Sequence, residues 1–387
     1  MISACFPTLS RLFHRHRDAA AGVEITDGPD VPPAPKTYTY STPSKVPLKV
    51  DVYLPTRHPG WPSPTIIFFH GGALLYGDRR FILRGLCDDC VSRGWTFLSY
   101  DYRKLLPCTG HDLLQDLQAA FTHYHTVLVP AHNLSATNVF VAGYSAGGYL
   151  AQLAASHWEP KPLGLFLVAA QGGKLLSPHH YGLKRRDSST NPTTTTTTTP
   201  STTTDPPPTE EVATYLAGET RTIGALPQSD ATQSAEFWAR MRVAQEVWRR
   251  GLYLDIVTGI SGLGARLRDV AAADDAARER LIPESTRCLF PELLIDETFP
   301  PAFVVHGDMD ASVLLEESEA LVNRLKAKYV LAQLVVIEGC AHQTMVYDMI
   351  YRNYMSGVMT FFEGRMVGDE GEDEVVGLGE DEDEEDT

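Results

Sequence analysis

Short apolar runs alternating with stretches of helical periodicity constrain this chain more than any other feature. Residues 65–70 (TIIFFH) form a continuous apolar segment, as expected of a strand covered on both faces. Comparable runs at 95–100, 138–142, 163–169, 302–306 and 330–337 are separated by amphipathic segments at 79–92, 111–127, after 145, 314–327 and 343–362. Such alternation predicts a mostly parallel central sheet flanked by helices on both faces, an α/β architecture. Residues 37–41 and 46–54 differ. There Val46, Leu48, Val50, Val52 and Leu54 alternate with other residues, the period of half-buried antiparallel strands, so the expected sheet is mixed.

The rhythm breaks between 169 and 302. Residues 170–300 read as an insertion, and 188–209 within it are Thr/Pro-rich and expected to be disordered. After them, 232–250 reads as an amphipathic helix carrying Phe237, Trp238, Met241, Ala244, Val247 and Trp248, a candidate cap over a site at the sheet edge. The main body is expected to span 36–368, after a flexible leader at 1–35.

The net charge of -16 describes the tail more than the body. Residues 369–387 hold twelve acidic groups and no basic one, so the remainder carries only -4. The tail is expected to be disordered through self-repulsion, and the nearly neutral body has no nucleic-acid footprint. The N-terminus lacks the apolar core of a secretory signal, although its basic, acid-poor character up to Asp18 also suits a transit peptide. No run approaches the roughly 20 apolar residues of a membrane span. The expectation is a cytoplasmic protein. Cys87 and Cys90 have no second pair to complete a zinc site and read as buried structural thiols.

Gly143-Tyr144-Ser145-Ala146-Gly147 is a pattern that chance alone can supply, but its context is specific. The apolar run 138–142 precedes it, and small residues opening a helix follow. A tight strand–turn–helix exposes a serine oxygen at the positive end of the helix, making Ser145 the candidate nucleophile. Earlier in the chain, His70-Gly71-Gly72-Ala73 follows the 65–70 strand. Glycines there let main-chain N–H groups converge, so Gly71 and Gly72 join Ala146 as the expected oxyanion donors. The acid comes from His306-Gly307-Asp308-Met309-Asp310. Asp310, further past the strand end, is favoured over Asp308, which shapes the turn, and over the upstream Asp296. His342, after the 330–337 strand, is the base. The order Ser145, Asp310, His342 suits this architecture. Neither His123-x-His125 nor His179-His180 has partners at metal-ligand spacing, and His70 and His306 read as turn braces.

These residues, with Tyr100-Asp101-Tyr102-Arg103, Gly148-Tyr149 and Gly339-Cys340-Ala341-His342, resemble the α/β-hydrolase superfamily. The resemblance is to hormone-sensitive-lipase-like esterases, feruloyl-esterase-like proteins and kynurenine formamidases, and it runs from about 38 to 362 outside the insertion. It implies an α/β-hydrolase fold and a serine hydrolase that cleaves a small or medium-sized carboxylic ester through an acyl-enzyme, without metal or organic cofactor. The alternatives are an amide hydrolase acting on an aryl formamide or short peptide, an acyltransferase, and a non-catalytic binding protein on the same fold. Two departures stand out. Ala73 replaces the third glycine of the lipase-like turn, and serine and acid lie 165 positions apart, a gap the insertion widens.

Overall fold

The computed structural model describes residues 34–55, 60–184, 207–226, 234–270 and 275–367. Most of the Thr/Pro-rich stretch, nearly all of the expected leader and the whole acidic tail lie outside these residues. The sheet has eight strands: β1 (Lys36–Ser41), β2 (Leu48–Tyr53), β3 (Ser63–Phe69), β4 (Thr96–Tyr100), β5 (Leu134–Tyr144), β6 (Gly164–Val168), β7 (Ala302–Gly307) and β8 (Ala332–Ile337). Their order is β1-β2-β4-β3-β5-β6-β7-β8. β1 and β2 run antiparallel at one edge, and every pairing from β4 to β8 is parallel.

Strand geometry sends alternate side chains to opposite faces, and here both faces are covered. Ile67, Phe69, Val141, Leu165, Leu167 and Val304 enter one core; Ile66, Phe68, Phe140, Ala142, Phe166, Val168 and Val305 enter the other. Helix α1 (Arg84–Ser92) covers the second face with Leu86, Cys87, Cys90 and Val91. The first face is covered by α2 (Gly110–His123), through Leu113 and Leu117, and by α3 (Ala146–His157), through Leu150 and Leu153. Cys87 and Cys90 are thus buried free thiols, pushed up in pKa chiefly by burial.

β2 departs from the half-buried reading. Asp51 is buried on the face opposite Val50 and Val52, where it accepts hydrogen bonds from Thr37 Oγ1 (2.6 Å) and Arg79 Nε (2.8 Å). A buried carboxylate needs such partners, and alternation of apolar residues cannot reveal them.

No strand occurs between β6 and β7 among the described residues; the described part of the insertion is helical where it has regular structure. Its longest element, α4 (Ala235–Arg249), buries Phe237, Ala244 and Val247, whereas Trp238 is exposed, contrary to a role beneath a cap. The helix is fastened by a residue of the opposite character. Arg240 is fully buried and donates to the carbonyls of Leu75 (3.3 Å), Leu105 (3.0 Å) and Leu106 (3.1 Å). α5 (Leu315–Ala327) follows β7. The expected continuous helix at 343–362 is broken: a 3-10 turn at His342–Val346 is followed by a wide turn at Tyr351–Met355, and α6 (Gly357–Glu363) is the last helix among the described residues.

Candidate active site

β5 ends where α3 begins, and the connection is a single residue. Ser145 has φ 56° and ψ -124°, a conformation that non-glycine residues rarely adopt. The surrounding backbone holds it there: Ser145 N–H donates to Val168 O (3.0 Å), and Ser145 O accepts from the N–H groups of Gly148 (2.9 Å) and Gln171 (3.1 Å). The flanking glycines are a packing requirement. A Cβ at Gly147 would lie 2.0 Å from Phe69 O, one at Gly143 would lie 2.3 Å from Gly147 O, and one at Gly148 would lie 2.3 Å from the Ala170 Cβ. Gly147→Ala is therefore expected to destabilise the fold by about 3 kcal/mol, the upper end of the usual overpacking cost, because backbone rather than a mobile side chain must yield. Thermal unfolding checks this; an unchanged midpoint would contradict the packing.

Ser145 Oγ lies 2.9 Å from His342 Nε2, and His342 Nδ1 lies 2.6 Å from Asp310 Oδ2. The three expected residues are thus brought into one hydrogen-bonded row. Asp310 is well supported: its Oδ1 accepts from the N–H groups of Ser312 and Val313, both at 2.9 Å. Burial raises the Asp310 carboxyl pKa, but hydrogen bonding to His306 and His342, with that backbone support, outweighs burial and holds it below the usual carboxylate range. His306 also bridges Ser318 Oγ (2.7 Å) and Val313 O (2.9 Å), bracing the acid's loop. Asp308 points elsewhere, accepting the Gly339 N–H at 2.7 Å and tying the acid's loop to that of His342. Asp296 accepts from Thr298 on an exposed turn and has no part in the row.

The row opens on a cavity of about 330 Å³. Gly72 and Ala73 line it with Ser145 and His342, whereas Gly71 does not. Gly71 is instead packed behind them, where a Cβ would come within 2.9 Å of the Tyr144 ring and 3.2 Å of Ser145 Cβ. Gly72 (φ 109°) and Ala73 (φ 55°) both take positive φ, and a side chain at Gly72 would strike Tyr76 O at 2.1 Å. Ala146 opens α3, where the first N–H groups have no partner within the helix.

Comparison with known proteins bears on the fold that carries this arrangement. The BD-FAE family model matches residues 50–164, which include the His70-Gly71-Gly72 turn and the Ser145 elbow. Esterase 2 of Thermogutta terrifontis superposes with a TM-score of 0.51 at 18% identity, covering 89% of this chain and 97% of that structure. The chain has the α/β-hydrolase fold. In sequence, this hydrolase-fold chain is 30% identical to Esterase LipC of Mycobacterium tuberculosis over 105 residues, 27% of this chain and 26% of that one. It is 24% identical to 5-methylorsellinic acid synthase of Aspergillus terreus over 355 residues, 86% of this chain but 13% of the synthase. The matched regions are therefore a minor part of both curated relatives.

Several residues around the Ser145 elbow escaped the sequence reading. Tyr144 donates its hydroxyl to His342 O (3.0 Å) and stacks on the imidazole with ring centroids 5.1 Å apart. His179 lines the cavity and bonds to Ser312 O through Nε2 (3.0 Å), while His180 pairs with buried Glu317. Glu317 also accepts the N–H groups of Gly172 (3.1 Å) and Lys174 (2.7 Å), fixing the chain after β6. Burial first, and then the nearby His180 and Lys184 side chains, hold His179 down at about 3, so it is a neutral wall rather than a charged one. Local sequence carries no signal for these contacts, since the His179 and His180 partners lie more than 130 positions away. Among the described residues, no group of three or more His, Cys, Asp or Glu side chains could hold a metal ion. No described helix is long and apolar enough to cross a membrane.

Beneath the Gly71–Gly72 turn sits a buried amine. Lys104 Nζ lies 3.0 Å from His70 Nε2 and 3.5 Å from the centre of the Tyr102 ring, and His70 Nδ1 lies 2.6 Å from Gly71 O. A carbonyl only accepts, so Nδ1 carries the proton and Nε2 accepts from Lys104. Burial lowers Lys104 from 10.5 to about 7. Unfolding then takes up a proton between those values, so this group makes stability rise with pH from about 7 towards 10.5. In Lys104→Met, denaturant unfolding at pH 7 and pH 9.5 should show that rise flattened; an unaltered rise would contradict the assignment.

Proposed function

We propose that this protein is a serine hydrolase that cleaves a carboxylic ester of a small or medium-sized organic molecule. The observation that carries the reading is the Ser145–His342–Asp310 row opening on a cavity large enough for such a substrate. Ser145 Oγ attacks the ester carbonyl while His342 Nε2 takes its proton. Asp310 holds the imidazole with Nδ1 protonated and stabilises the imidazolium that forms. The carbonyl electrons move onto oxygen, within reach of the N–H groups of Gly72, Ala73 and Ala146. These three, rather than Gly71, are the donors in this proposal because Gly72 and Ala73 form the cavity wall. Collapse expels the alcohol with the proton from His342. Water, activated by the same imidazole, then releases the acid.

The structural neighbours include Thermogutta terrifontis esterase 2 and a carbohydrate esterase from gut microbiota, which supports ester cleavage. Acyl transfer to an acceptor other than water is the second reading, because the same triad and acyl-enzyme serve either acceptor. The decisive screen uses p-nitrophenyl esters of increasing acyl length beside an aryl formamide, with and without added alcohol acceptors. Faster turnover of esters than of the formamide, giving free acid as product, supports the hydrolase. Exclusive formation of the transferred ester would favour acyl transfer, and faster formamide cleavage would favour an amidase.

A further inference from the structure

The cavity wall has a charge pattern that the acyl-transfer chemistry does not use. Two of the lining residues are cations, Lys184 and Arg249, and none is a carboxylate. Aromatic rings of Tyr76, Phe81, Tyr144 and Trp248 supply much of the remaining wall. The two residues are joined through the backbone, Lys184 N–H donating to Arg249 O at 2.9 Å. Arg249 is already engaged, with its guanidinium 2.6 Å from Glu246. Lys184 has no ion-pair partner among the described residues, although it is only part-exposed. An ammonium in that position, partly withdrawn from water without a counter-ion, is costly unless something else supplies negative charge. Burial pulls it down only to about 8, so it remains largely charged at neutral pH.

We propose that Lys184 is a specificity residue that binds an anionic group, a carboxylate in the simplest case, carried by an aromatic or apolar ester substrate. This deepens the serine-hydrolase reading and rests on it. The substrate's reacting carbonyl sits at Ser145, its apolar part lies against the rings, and its acid group reaches the Lys184 end of the cavity. The acid group is on either the acyl or the alcohol side of the ester, and the two arms of the test separate these cases.

The experiment compares matched esters. One arm sets mono(4-nitrophenyl) glutarate against 4-nitrophenyl pentanoate, which exchanges a terminal carboxylate for a methyl group on the acyl side. The other sets 4-acetoxybenzoate against its methyl ester, which places the charge on the leaving group. The wild-type protein is expected to favour the charged member of at least one pair in kcat/KM. Lys184→Met should cut that preference about tenfold or more, the scale of one charge-assisted hydrogen bond. The loss should appear chiefly in KM for the charged ester, and Lys184→Arg should retain most of the preference. Added salt should weaken the preference as well. A Lys184→Met protein with the same charged-to-neutral ratio in both arms overturns this subsite while leaving the hydrolase reading intact. If the folded wild-type protein hydrolyses none of the four esters, the parent reading fails instead.

Discussion

Ser145→Ala is expected to lower kcat on any ester substrate by about a millionfold, the scale seen when the nucleophile of a serine triad is removed. The geometry makes the effect large because, among the described residues, no other hydroxyl is bonded to His342 Nε2; Ser145 Oγ is its partner at 2.9 Å. The variant should keep the fold. Alanine at 145 retains the φ of 56°, the N–H bond to Val168 and the carbonyl bonds from Gly148 and Gln171, none of which uses the hydroxyl. Substrate binding should persist, so equilibrium binding of an unreactive ester analogue would remain measurable while turnover disappears. Full activity in the folded variant would assign the nucleophile elsewhere.

The second large effect belongs to the acid. Asp310→Asn should cost about 10⁴-fold in kcat, because an amide beside Nδ1 favours the wrong imidazole tautomer. With the proton moved to Nε2, His342 can no longer accept from Ser145. The neighbouring Asp308→Asn should cost no more than a few-fold, since an amide oxygen still accepts the Gly339 N–H that Asp308 takes at 2.7 Å. Steady-state kinetics on one chromogenic ester is enough to separate the two. A larger loss at Asp308 than at Asp310 would exchange their roles.

The strands and the order of the site were readable because their causes are local. A strand covered on both faces must be apolar at successive positions, as 65–70 is, and a turn that packs glycine against backbone must keep its glycines, as 143, 147 and 148 do. What could not be read depends on distant partners. Arg240 looks like a solvent-facing residue on an amphipathic helix, yet it is buried against carbonyls some 135 positions earlier. Trp238 looks like part of the apolar stripe, yet it faces outward because Phe237, Ala244 and Val247 already fill the buried side. Lys104 gives no sequence sign that it will lie beneath the turn at His70.

Two finer points follow from the same cause. Composition marks the His70-Gly71-Gly72-Ala73 turn but not that Gly72 and Ala73 line the cavity while Gly71 packs against Tyr144. The 343–362 region has helical periodicity throughout, but His342 must lie at the sheet edge beside Ser145, and the chain leaves that position through a 3-10 turn.

The most direct test of the account is reaction of the full-length protein with a fluorophosphonate probe, followed by mass spectrometry of the labelled peptide. The account predicts one probe per chain, attached to Ser145, with labelling abolished in Ser145→Ala and strongly slowed in Asp310→Asn. Folded wild-type protein that stays unlabelled, or that carries the probe on a different residue, would contradict it.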